Sequence, residues 1–230
     1  MNYRSNLEAP DLRPYFKHIH ERVEPNSQGH TVISDFADKA DDDPVFGVHK
    51  RCWFWTLDEA AILYNCALQR PGQWLDIGGH TGWTAMYIAA AGACDVTLVD
   101  PMYENDDFML RALDNTYTIG SGRWLQGMTS GELFLARTHK LPYSGIVIDG
   151  NHDRPYPQFD AMCAIWKLDS NGIILLHDYR GEPIKEAYRW LVANGFQGKV
   201  YTSPNGVAVC WRGEFTPPEH VCDPKLEPCV

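Results

Sequence analysis

Several features are missing from this 230-residue sequence, and each absence removes a class of protein. No stretch approaches the length of apolar residues that a membrane span needs. The opening Met1-Asn2-Tyr3-Arg4-Ser5-Asn6 has no apolar signal region, so a cytoplasmic protein without membrane contact is expected. Basic clusters are also missing. Lys and Arg number 20 against 30 Asp and Glu, a formal charge of −10, which disfavours nucleic acid because a phosphate-tracking protein carries a basic face. The 7 cysteines form no CxxC pair. Cys52, Cys66, Cys94, Cys163 and Cys210 sit in or beside apolar patterns and read as reduced core residues. Cys222 and Cys229, with His220, lie in a proline-rich tail and are too few to complete a structural zinc site. What is abundant points to a packed core: 44% hydrophobic residues and 8 tryptophans.

The chain is organised around Trp74-Leu75-Asp76-Ile77-Gly78-Gly79-His80-Thr81-Gly82-Trp83-Thr84-Ala85. A short apolar run ends in an acid and two glycines, and a helical pattern from Ala85 to Ala91 follows. This spells a strand, a tight turn and a helix opening. Small residues let a ligand approach the main chain there, and the helix start offers unpaired N–H groups. A dinucleotide fingerprint needs G-x-G-x-x-G, but counting from Gly78 the third position is His80, so that pattern fails at its second glycine.

Residues 1–55 are polar and weakly periodic, an N-terminal extension and candidate lid, in which Asp11 caps an expected helix from Leu12 to Val23. Its acidic run, Asp38 to Asp43, reads as a solvated loop, and His18, His20, His30 and His49 have no pattern. Thr56-Leu57-Asp58-Glu59 has the form of a capping box, followed by a helix that Pro71-Gly72 stops. Strand and helix patterns then alternate. Strands are expected at Asp95–Asp100, Gly122–Gln126, Ser144–Asp149 and Ile173–Leu176, and helices at Glu104–Tyr117 and Ser130–Arg137. A further helix presents Phe159, Met162, Cys163 and Trp166 on one face and ends at Asn171-Gly172, and the next turns Ile184, Ala187, Tyr188 and Leu191 inward. Gly198–Ser203 and Val207–Trp211 flank Pro204-Asn205-Gly206 as a hairpin. The expected fold is α/β and Rossmann-like: a mostly parallel seven-stranded sheet in the order 3-2-1-4-5-7-6, with a C-terminal antiparallel hairpin strand. It occupies residues 56–213, and residues 214–230 form a proline-rich tail.

Ligands bind at the C-terminal ends of strands in such sheets, and Asp76, Asp100, Asp149 and Asp178 all fall on or near that edge. An acid at position 100 either accepts hydrogen bonds from ribose hydroxyls or caps the next helix. Met128, just past the third strand, offers a soft apolar contact. Asp149 and Asp178 close neighbouring strands. With His177 they offer oxygen and imidazole donors to a divalent cation such as Mg²⁺, which would orient a hydroxyl and lower its pKa. His152, three residues past Asp149, is placed to take the proton as general base. The alternatives are plain: His177-Asp178 as a bonded pair tying down a loop, and His152 as a loop histidine bonded to main chain.

The turn Leu75–Gly82, with its acid-x-Gly-x-x-x-Gly spacing, resembles motif I of class I S-adenosylmethionine (SAM) dependent methyltransferases. Together with Ile148-Asp149-Gly150-Asn151-His152 and Gly172-Ile173-Ile174-Leu175-Leu176-His177-Asp178-Tyr179, it resembles the macrocin O-methyltransferase and cephalosporin-hydroxylase-like group. The resemblance implies SAM on Asp76, Gly78, Gly79, His80, Gly82, Asp100, Met128 and Asp149, metal on Asp149, His177 and Asp178, and catalysis by His152 with Asp149. Metal-dependent members often carry a carboxylate where this chain has His177. The implied reaction is O-methylation of a hydroxyl on a small molecule or sugar, the partner expected here, with a homo-oligomer left open. A nicotinamide-dependent oxidoreductase fits the alternation but not the glycine spacing. A non-catalytic SAM-binding protein fits every cofactor feature.

Overall fold

Thr56 starts the first helix as the capping box requires: its side chain accepts from the Glu59 N–H, and the Glu59 carboxylate accepts from the Thr56 N–H at 2.8 Å. The computed structural model describes residues 6–12, 15, 55–92, 95–117, 122–126, 131–132, 142–222, 224 and 226–229. The expected helices at 12–23 and 130–137, the acidic run at 38–43, His18, His20, His30, His49 and Met128 lie outside the described residues or are described only in fragments. Helix α1 spans Leu57–Leu68, followed by β1 (Gln73–Ile77), α2 (Trp83–Ala90), β2 (Asp95–Val99), a 3₁₀ turn at Pro101–Glu104, α3 (Asp106–Tyr117) and β3 (Gly122–Gln126). Then come β4 (Tyr143–Ile148), α4 (Tyr156–Lys167), β5 (Leu168–Leu176), α5 (Glu182–Ala193), β6 (Gln197–Tyr201) and β7 (Val207–Trp211). Among the described residues no helix is long and apolar enough to cross a membrane.

The strands form one 7-stranded sheet in the order β3-β2-β1-β4-β5-β7-β6, parallel except for β7, which runs antiparallel to β5 and β6. Side chains alternate between its two faces. Trp74, Val96, Leu98, Val147, Ile173 and Leu175 pack with α1 and α2 on one face. Leu75, Ile77, Ile146, Ile148, Ile174 and Leu176 pack with α4 and α5 on the other. Burial on both faces explains why these strands read as continuous apolar runs.

Two expectations are corrected. The face of α4 marked by Phe159, Met162 and Trp166 is turned outward, Trp166 being 88% exposed. The buried face uses Ala161 and Ala164 instead, because small residues let the helix sit close on the sheet. Asn171-Gly172 do not end that helix either. Lys167 does, and β5 begins at Leu168, with a register shift opposite Tyr143 and Gly145 that absorbs the extra residues. The proline-rich tail is bonded to the body of the fold. Tyr201 Oη–H donates to the Pro218 carbonyl, the Val221 N–H to Asn6 Oδ1, and Arg180 Nη2 to the Glu227 carbonyl.

Candidate active site

Register builds the site. Ile77 lies beside Val99 and Ile148, and Ile148 beside Leu176, so the ends of β2, β1, β4 and β5 are level. The next residues therefore stand in a row: Asp100, Gly78, Asp149 and His177. Main-chain bonds extend the ladder one step beyond the strands, from Gly78 N–H to the Val99 carbonyl (2.8 Å), from Asp149 N–H to Ile77 (2.9 Å) and from His177 N–H to Ile148 (3.2 Å).

The turn after β1 is built by close approach. Gly78 has φ +85°, and a Cβ there would meet the Asp149 carbonyl oxygen at 2.2 Å; one on Gly79 would meet Tyr103 Oη at 2.8 Å. Gly82, at φ +87°, opens α2. His80 holds φ 40°, fixed on both sides of its peptide: its N–H donates to Asp100 Oδ2 (3.0 Å), and Tyr103 Oη–H donates to its carbonyl (2.6 Å). Asn115 of α3 donates to the Thr81 carbonyl at 2.9 Å. Asp100 does cap the 3₁₀ turn, since Oδ1 accepts the Met102 N–H at 2.9 Å. Each Asp100 oxygen thus carries one amide bond and keeps a lone pair for another donor. That fits a ribose diol.

Asp76 points from β1 towards α2 and accepts from the Thr84 hydroxyl, while its Oδ1 is buried without a hydrogen-bond partner. Burial pushes this carboxyl up to about 7, against the Thr84 bond. It lies under the turn as a buried acid that holds its proton up to near-neutral pH, not as a surface carboxylate.

On the other half of the edge the geometry is made by charged side chains. His152 bridges two acids: Nδ1 is 3.2 Å from Asp178 Oδ2, and Nε2 is 3.3 Å from Asp149 Oδ1, out of line for a hydrogen bond and without any other partner. Asp178 holds φ 54°, an uncommon backbone state of the kind that collects at functional sites. Asp149 Oδ1 also faces His177 Nδ1 at 3.0 Å, and its Oδ2 accepts from Trp55 Nε1–H at 2.9 Å. The second nitrogen of His177, Nε2, lies 3.2 Å from Glu59 Oε2, and its ring stacks on Trp55 at 4.6 Å between centroids. Burial disfavours charge on His177, yet the acids around it, Asp149 first, push its pKa well above the ordinary value. Burial likewise opposes Glu59, but the His177 bond and charge and the Thr56 and Asn205 amides hold it down at about 2. Asp149 is lowered against its burial, by the charge of His177 first. His152 is raised against its burial by the neighbouring carboxylates, Asp149 first and then Asp178.

The expected ligand set Asp149, His177 and Asp178 does lie together, with His177 Nδ1 3.0 Å from Asp149 Oδ1 and 3.8 Å from Asp178 Oδ2. Both ring nitrogens of His177 face carboxylates, which favours a doubly protonated ring without a lone pair for a metal. The donors lying within 4.8 Å of one another belong to Asp149, His152 and Asp178. Two further residues carry the site. Glu59 reads in the sequence only as a capping-box acid, and Trp55 is the residue just before that box. Ser203 and Asn205, which donate to Glu59 Oε1 at 2.8 and 2.7 Å, sit in the hairpin turn and have no sequence signal beyond it.

No protein-family model matches the chain, and no curated protein matches it in sequence. Solved structures match it in fold. The SAH-bound methyltransferase PaMTH1 of Podospora anserina is similar with a TM-score of 0.60 at 13% identity, over 91% of this chain and 91% of that one. The O-methyltransferase TomG of Streptomyces achromogenes, involved in tomaymycin synthesis and in complex with SAM, gives 0.59 at 10% identity, over 90% and 92%. An O-methyltransferase of Bacillus cereus in complex with SAH gives 0.54 at 12%, over 66% and 80%. At such identities the likeness is one of fold, the Rossmann-like fold of these SAM-dependent enzymes.

Proposed function

We propose that the chain is a SAM-dependent O-methyltransferase acting on a hydroxyl of a small molecule or sugar. The observation that carries this is the row at the strand ends, in which a glycine turn with a diol-accepting Asp100 stands beside a histidine held between two acids. The turn at 78–82 would hold the methionine part and Asp100 the ribose. Bound there, SAM supplies an electrophilic methyl group on a sulfonium. The protein's contribution is alignment, exclusion of water and deprotonation of the acceptor. His152, standing between Asp178 and Asp149, takes the hydroxyl proton, and Asp149 then stabilises the imidazolium that results.

A second reading is favoured by the Asp149, His152 and Asp178 donors, whose two oxygens and one nitrogen suit Mg²⁺ or Mn²⁺. A cation held by them would act as a Lewis acid on the acceptor hydroxyl. The two readings compete for His152, because a ligating imidazole cannot also take the proton. The bridge that His152 already makes supports the base reading. A net charge of −10 supports a small acceptor over nucleic acid, with the cytoplasm as the proposed compartment. The test is methyl transfer from radiolabelled SAM to a panel of sugar and phenolic hydroxyls, with Mg²⁺ and with EDTA. Transfer that persists in EDTA and disappears in His152→Ala is expected. Transfer indifferent to His152 removes the base, and transfer abolished by EDTA moves His152 into a metal site.

A further inference from the structure

Glu59 is far better bonded than a helix cap needs. A capping box uses one carboxylate oxygen at a helix start, and glutamine serves there as well. Here the side chain is fully buried, and every group on it is a donor. Oε1 accepts from Ser203 Oγ–H (2.8 Å) and the Asn205 N–H (2.7 Å). Oε2 accepts from the Thr56 N–H (2.8 Å), Asn205 Nδ2–H (3.1 Å) and His177 Nε2–H (3.2 Å). Burying a carboxylate is costly unless all its lone pairs are used, and here they are used to hold a histidine.

The ring so held has little freedom left. Glu59 fixes Nε2, the Trp55 indole stacks on one face at an interplanar angle of 12°, and Nδ1 is thereby aimed at Asp149 Oδ1. Trp55 fixes the other oxygen of Asp149, and is itself fixed by Trp83 Nε1–H on its carbonyl at 2.9 Å. Both oxygens of Asp149 are thus held by groups that are held in turn, and the plane of this carboxylate sets what His152 Nε2 faces.

We propose that Glu59 is a positioning residue for methyl transfer, which aligns Asp149, and through it His152, by clamping the His177 ring from behind. The inference rests on the proposed function for its catalytic meaning, though the clamp is observable without turnover. It joins α1, the β6–β7 turn and the end of β5 through one side chain, far from the bond that is made and broken.

The test is Glu59→Gln in the full chain, labelled with ¹⁵N-tryptophan. Glutamine keeps the size but turns an NH₂ group towards donors. The expected result is a shift of the Trp55 indole N–H resonance as Asp149 leaves its place. With the best acceptor from the hydroxyl panel, kcat should fall about 10²-fold, the cost of a misplacement near 1 Å, while KM and SAM affinity stay within about 3-fold. Should this variant not fold, His177→Phe keeps the stacking ring without its N–H donors and should give the same indole shift and the same kcat loss. The double variant should be no slower than either single one, as members of one relay are not additive. An unmoved indole resonance, a wild-type kcat, or losses that multiply in the double variant would each overturn the clamp. If the wild type transfers no methyl group, an indole shift still upholds the clamp and the failure belongs to the proposed function.

Discussion

The two halves of the strand-end row are made of different materials. The half after β1 and β2 is main chain: glycines at close approach, a peptide fixed on both sides at His80, and a carboxylate taking amides. The half after β4 and β5 is a network of charged side chains in which two histidines alternate with three acids. Backbone sites are specified by local sequence, because a turn needs its glycines in order. A side-chain network is specified by the whole fold, because its members come from α1, β4, β5 and a hairpin. The first half suits a cofactor of constant shape, and the second an acceptor and its proton.

The comparison can be broken most forcefully where the halves touch. Gly78→Ala places a Cβ 2.2 Å from the Asp149 carbonyl oxygen at a φ that alanine resists, so both halves must shift. A loss of about 4 kcal/mol in denaturant unfolding is expected, at the upper end for single substitutions. Asp76→Asn acts in the opposite sense. The folded-state carboxyl is raised from 3.8 to about 7, so the folded protein binds more protons than the unfolded chain between these values, and stability falls as pH rises through that window. Asparagine removes the penalty while keeping an acceptor for Thr84. The variant should gain up to about 4 kcal/mol at pH 8 and little near pH 4, at ~1.4 kcal/mol per unit. Unfolding curves at the two pH values check this.

The next effect isolates the side-chain half. His152→Ala should lower turnover about 10²-fold and leave SAM affinity nearly intact. In the wild type, the rate should rise with pH through an inflection above 6.5, because the base must be neutral and its acidic neighbours hold its proton longer. Asp100→Ala isolates the main-chain half. It should weaken SAM binding by about 1–3 kcal/mol, read by calorimetry, with the acceptor KM little changed. If Asp100→Ala alters the acceptor KM, or His152→Ala the SAM affinity, the two halves are not separate.

How much of this was legible in the sequence follows the same division. Strand order and the hairpin were readable because alternation, punctuated by glycine and proline, survives in one dimension. The turn at 76–82 was readable for the same reason, and so were Asp100, Asp149, His152 and Asp178 as strand-end residues. The role of His177 was not, because it depends on Glu59, 118 positions away. Glu59 already had a sufficient local explanation as a capping acid, and nothing in its neighbourhood points to a second one. The outward face of α4 misled for a related reason. Apolar periodicity marks a stripe, but Ala161 and Ala164, which decide the packing distance, are too small to mark one.

The central claim is a SAM site on the main-chain half, and calorimetric titration tests it most directly, with SAM and with NAD⁺, each in Mg²⁺ and in EDTA. The account predicts SAM binding on the order of micromolar, unaltered by EDTA, and no heat from NAD⁺, since the glycine spacing lacks the dinucleotide pattern. Folded protein that binds NAD⁺, or that leaves SAM unbound, would contradict it.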